Sequence, residues 1–220
     1  MNTRGFISSD LGYRPGDSQN AANDPAYWQW QFARMQNAAF IEYDPAVDDA
    51  IDQGSGFQWF YHSHSPEDRP GSAEHGHIHL FARRKLWSRR LRSARELAFT
   101  ELAEGADPRV NTRHLLTIGF DAKGIPKTLF TVNSWVTGDL MLSASNTALL
   151  LDQMTLDTGN EDVDTVIECV VKLYKDEIRD LLLRRDSLLY QKRAPGILGD
   201  ECLEVLSDIA INVDQKLAGK

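Results

Sequence analysis

Apolar and polar positions along the chain change period several times, and each change marks an element. Trp28, Phe32, Met35 and Ala39 recur at helical spacing behind Asp24-Pro25, which offers an N-cap and a proline for the first helical turn. The spacing predicts a helix ending near Asp44-Pro45, then a short helical turn from Pro45 to Gln53. At Phe57 the period falls to two. Phe57, Trp59 and Tyr61 alternate with Gln58, Phe60, His62 and His64, as in a strand covered on both faces. A second strand places His75, His77, His79 and Phe81 on one side, and Gly76, Ile78, Leu80 and Ala82 on the other. Strands from about His114 to Asp121 and Lys127 to Val136, joined by a tight turn, complete a four-stranded, mainly antiparallel sheet.

Helical spacing returns at Trp87, Leu91, Ala94, Ala98 and Leu102, and again from Ser145 to Met154. Val163, Val166, Ile167, Val170, Tyr174, Ile178, Leu181 and Leu188 predict one long helix, stopped by Pro195-Gly196. Leu203, Leu206, Ile209, Val213 and Leu217 predict a last one. The expected fold is α+β: a sheet with an N-terminal helix and a C-terminal helical layer. Residues 1–23, rich in Gly, Asn, Asp and Ser, read as an irregular leader, and residues 24–220 as one domain.

Composition narrows this picture. With 220 residues, 42% of them hydrophobic, the chain can fill a single core. No run approaches the roughly 18 apolar residues of a membrane span, and Met1 to Gly16 has no secretory pattern. A cytoplasmic protein without a membrane partner is expected. The two cysteines, Cys169 and Cys202, are too few for a disulfide scaffold or a cysteine zinc module. A net charge of −8 disfavours nucleic acid as a partner. Arg83, Arg84, Lys85, Arg89, Arg90, Arg92 and Arg95 form a local basic run, which reads first as a solvated helix face. The long apolar helices suit packing on the sheet, and equally a homodimer interface.

Five of the six histidines fall between His62 and His79, an excess that asks for chemistry. Side chains two apart on a strand point the same way, about 6.8 Å apart, so neighbouring imidazoles can converge. If His62 lies opposite His77, the two sets share one face; a slip of one residue separates them. The shared face is favoured, because the opposite one then gathers Phe57, Trp59, Tyr61, Ile78 and Leu80 into a core. Neutral imidazoles suit Zn, Fe and Cu, and a catalytic site keeps a position open for water or a small-molecule substrate. His62, His64, His75 and His77 are the expected ligands of a divalent transition metal, with Glu74 and His79 as catalytic candidates. Strand alternation sends Glu74 to the opposite face unless the strand starts after it or a bulge at Gly76 re-aims it. His114 is expected to stay apart, since it alternates with Leu116, Ile118 and Phe120.

The segments Tyr61-His62-Ser63-His64 and Glu74-His75-Gly76-His77-Ile78-His79-Leu80-Phe81, with Asn133-Ser134-Trp135-Val136-Thr137-Gly138 downstream, resemble a bacterial family classed as a domain of unknown function. The resemblance implies that these segments form one site, which adds Asn133 as a catalytic candidate and Trp135 as a neighbour. Thr131, Asn133 and Trp135 share parity on their expected strand. The run His75 to Phe81 also looks like the histidine-triad motif of nucleotidyl hydrolases, with His77 as nucleophile on phosphorus, although Gly76 stands where that motif has a hydrophobic residue. Shorter likenesses, to the zinc signature of JAMM deubiquitinases and to cupins, fail on residue identity and strand number respectively. The expected function is a metal-binding protein acting as a redox or hydrolytic enzyme; the alternative is a metal-free histidine-triad hydrolase.

Overall fold

A computed structural model describes residues 49–63, 74–94, 96, 99 and 111–219. The expected leader, the helix behind Asp24-Pro25, most of the turn from Pro45 and His64 lie outside these residues. So does most of the helix expected beyond Leu91.

The fold is α+β, built on an antiparallel sheet of seven strands rather than four. In chain order they are β1 (Ala50–Ile51), β2 (Phe57–Ser63), β3 (Gly76–Arg83), β4 (Thr112–Phe120), β5 (Pro126–Val132), β6 (Leu140–Met141) and β7 (Val205–Ala210). They pair in the order β1-β2-β3-β4-β5-β7, and the two-residue β6 runs parallel to β4 at its start. Among the described residues, helices of known bounds are α1 (Arg84–Trp87), α2 (Ser134–Thr137), α3 (Ala144–Asp152), α4 (Glu161–Leu173), α5 (Lys175–Gln191) and α6 (Val213–Leu217).

Alternation sorts the sheet into two unlike faces. Phe57, Trp59, Ile78, Leu80, Leu116, Ile118, Phe120 and Leu129 form one core with Val166, Ile167, Val170, Ile178 and Leu181 of α4 and α5. Burying such side chains contributes about 2 kcal/mol each. A polar tie crosses the layers: the Trp59 indole donates to Asp164 Oδ1 at 2.8 Å, both residues being buried. Helices α4 and α5 thus pack on this face of the sheet. The other face carries Phe60, His62, His77, His79, Phe81, Thr128 and Phe130, by the same register that assembles the core.

Several expected elements come out differently. The last expected helix, from Leu203, is mostly strand: β7 pairs with β5, and only Val213–Leu217 is helical. Without β7, β5 would expose a row of unpaired backbone groups, so long-range pairing overrides a local helical period. The long helix is two, with Tyr174 at φ −105° and ψ 25° between them. No proline or glycine marks that break, and the apolar spacing runs straight through it. The fourth strand stops at Val132, where Asn133 turns the chain into α2. Ala50–Ile51, expected as part of a helical turn, is a short strand on β2. The basic run is divided between α1 and a 3-10 turn at Arg90–Arg92 rather than one helical stripe. Within it, Lys85 reaches back to the carbonyls of Gln53 and Gly54 at 2.6 and 2.7 Å.

Candidate functional site

The register places His62 directly opposite His77. Their rings stack with centroids 5.5 Å apart, and the His79 ring stands edge-on to His77 at 4.6 Å. His62 is exposed, whereas His77 and His79 are buried. Strand alternation and a shared register bring these three rings to one side, as the sequence pattern anticipates.

Glu74 joins them by the first of the two routes foreseen for it. Strand β3 begins at Gly76, so Glu74 is not bound by strand parity, and its carboxylate folds over the histidine face. Oε1 lies 2.7 Å from His77 Nδ1, and Oε2 accepts from the Thr128 hydroxyl at 3.1 Å. Gly119 makes the space: a Cβ there would sit 2.4 Å from Glu74 Oε2 and 2.1 Å from Thr128 Oγ1. Gly76 serves a second close approach, since a Cβ on it would meet the Tyr61 hydroxyl at 2.1 Å. A carboxylate on Nδ1 fixes the tautomer and orientation of an imidazole and makes Nε2 more basic.

His114, expected to stay apart, belongs to the cluster. Leu80 pairs with Leu116 but Phe81 with His114, so Leu115 is an extra residue on β4. That bulge reverses parity, and His114 turns to the histidine face. His79 Nδ1, His114 Nε2 and Thr117 Oγ1 lie 3.1 Å from one another. Burial, followed by the nearby Arg185 and His77 charges, pushes the His114 imidazole down to about 3, so it stays neutral. One sign was present in the sequence. Strict alternation would put Leu115 among the polar side chains of β4, and an apolar residue out of step beside a histidine marks a bulge.

The cluster borders a small cavity of about 120 Å³ lined by Phe60, His62, His77, His79, Phe130, Val132, Val136, Thr137 and Glu204. Sites for drug-sized ligands need roughly 300–1,000 Å³, so this one admits a few atoms or one end of a larger molecule. For both buried rings Nδ1 is engaged from behind, by Glu74 at His77 and by His114 and Thr117 at His79. Among the described residues, no three His, Cys, Asp or Glu side chains converge, as they stand, at metal-ligating range.

Other predicted residues are placed differently. His75 is exposed in the bend before β3 and is not among the cavity's lining residues. Asn133 is fully buried, its Nδ2 donating to the Ile197 carbonyl at 2.9 Å and its Oδ1 accepting from Ser134 N–H as the cap of α2. Trp135 lies on α2, half exposed, with its indole donating to the Leu203 carbonyl at 3.2 Å. Thr131 faces the helical side, bonded to Ser207 at 2.7 Å. The shared parity of Thr131, Asn133 and Trp135 fails because the strand ends before Asn133. Their segment contributes Val132, Val136 and Thr137 to the cavity instead.

Fold and site together define a class: an α+β protein with a histidine–carboxylate cluster on the sheet face turned from its main apolar core. Among the described residues, no helix is long and apolar enough to cross a membrane. The family model for the domain of unknown function DUF6969 matches residues 31–211, and the chain belongs to that family. No curated protein and no solved structure matches the chain.

Proposed function

We propose that the histidine face binds one divalent transition metal, Fe, Zn or Cu, and that the protein is a non-haem metalloenzyme acting on a small molecule by redox or hydrolytic chemistry. The donors in this reading are Nε2 of His77, Nε2 of His79 and the ring of His62. One observation carries it: two adjacent imidazoles line a cavity while their Nδ1 atoms are held from behind, the arrangement that metal-ligating histidines use. His62 is exposed, so its ring can turn from its stack on His77 toward the two buried rings. Such an ion would supply an acidic bound water if zinc, or oxygen and redox chemistry if iron or copper. Around it, Glu74 orients His77, His114 and Thr117 orient His79, and Phe60, Phe130 and Val132 limit water. A reducing, cytoplasmic setting suits the free thiols Cys169 and Cys202.

The test is elemental analysis of protein made without a histidine tag, with melting curves before and after chelation. About one equivalent of metal, lost in His77→Ala, is expected. A chelator should lower the melting temperature, because an ion bound only by the folded state adds RT ln(1 + [L]/Kd). Metal-free protein that takes up no added Fe, Zn or Cu and melts unchanged would end this reading.

The 2.7 Å contact between Glu74 and His77 also supports a metal-free reading, with His77 as nucleophile toward phosphorus. That reading predicts chelator-resistant hydrolysis of a nucleoside phosphoramidate, abolished in His77→Ala.

A further inference from the structure

Glu74 is the carboxylate that the sequence puts beside the histidines, yet it stands behind His77 and does not line the cavity. Another acid does. Glu204 borders the cavity together with His62, His77 and His79, and it is the one carboxylate among the residues named as lining it. It reaches this place from the far edge of the sheet, 125 positions along the chain from His79. Backbone pairing explains how: the Asn133 N–H donates to the Glu204 carbonyl at 2.8 Å, just before β7 joins β5. Asn133 in turn caps α2, which supplies Val136 and Thr137 to the same wall. The register of β7 on β5 thus delivers a carboxylate to the rim of an imidazole cluster.

We infer that Glu204 is the carboxylate ligand of this centre, completing a set of imidazoles and one carboxylate that suits iron(II) or an open catalytic zinc rather than the closed nitrogen and sulfur sets of structural zinc. This rests on the metal reading above and deepens it. Among the described residues, the rest of the lining is Phe60, Phe130, Val132 and Val136 with Thr137, none of which carries a carboxylate. Histidines with one carboxylate and open positions are the donor set of non-haem iron(II) oxygenases and also of catalytic zinc sites, whereas three imidazoles alone fit zinc or copper equally well. Glu204 is exposed, so a cation can reach it without burying the carboxylate first.

Anaerobic titration of the full chain with iron(II), and with cobalt(II) as a spectroscopic probe, tests the assignment. Wild type, Glu204→Gln, Glu204→Asp and His77→Ala are compared, and metal-free melting curves confirm that each variant folds. Glu204→Gln should weaken iron(II) binding at least tenfold and change the cobalt(II) visible spectrum, while its metal-free melting temperature stays at the wild-type value. Glu204→Asp should recover part of the affinity, and His77→Ala should lose the site. If Glu204→Gln binds iron(II) and cobalt(II) like wild type while His77→Ala does not, Glu204 is no ligand and the metal reading survives. If wild type binds neither ion, both ideas fall.

Discussion

At position 119 only a hydrogen fits. A methyl group would displace either the Glu74 carboxylate or the Thr128 hydroxyl, and these hold His77 from behind. Gly119→Ala should therefore act on the site as a Glu74 substitution does, and overpacking should cost about 1–3 kcal/mol of stability as well. Glu74→Gln is the milder test. It keeps the shape but replaces the anionic acceptor, and loss of such an orienting partner lowers metal affinity about 10–100-fold. Ring-nitrogen chemical shifts of His77 would report the change directly. A wild-type spectrum in Glu74→Gln would mean that the carboxylate does not set the His77 tautomer. The shared histidine face was readable residue by residue, because strand period and the demand for one apolar face favour the parity that puts His62 and His77 on the same side. Glu204 was not readable, since nothing local distinguishes it from any other acid of the C-terminal third.

Elements show where local pattern loses to pairing. Leu206, Ile209 and Val213 have helical spacing, but the open edge of β5 recruits the first two into a strand. The bulge at Leu115 turns His114 through half a period and converts an apparent core histidine into the partner of His79. Asn133 belongs to this scale too. Its amide joins the end of β5 to α2 and to the Ile197 carbonyl, which is a structural duty. Asn133→Ala should cost about 1–2 kcal/mol through the lost cap and the orphaned carbonyl. Metal stoichiometry should stay at the wild-type value. Normal stability combined with lost activity would instead make Asn133 catalytic.

Across the whole molecule, the two faces differ: α4 and α5 pack apolar side chains on one, and the other carries the imidazoles, with Arg185 of α5 near enough to His114 to act on its charge. The break between those helices has a titratable signature. Tyr174 is buried there, and its phenol is pushed up to about 12, by burial first and then by the Glu177 carboxylate, with the Asn212 backbone opposing and Asp214 adding least. The folded state then keeps a proton that the unfolded chain releases near pH 10. Stability should fall between pH 10 and 12, at up to about 1.4 kcal/mol per unit, with that contribution intact below pH 10. Tyr174→Phe should remove this share of the alkaline slope in denaturant titrations. An identical slope in the variant would mean that Tyr174 titrates alike in both states.

The amino-acid sequence alone determined the α+β class, the four longest strands before the helical third, and the placing of His62, His77 and His79 on one face of the sheet. All of these follow from short-range periodicity and from the need to bury one face. Tertiary structure decided what depends on contacts between distant segments: β7 on the edge of β5, the entry of His114 through a bulge, the seat of Glu74 over Gly119, and the arrival of Glu204 at the cavity. Those outcomes turn on which backbone groups remain unpaired once the sheet is assembled, and that is a property of the whole chain rather than of any window within it.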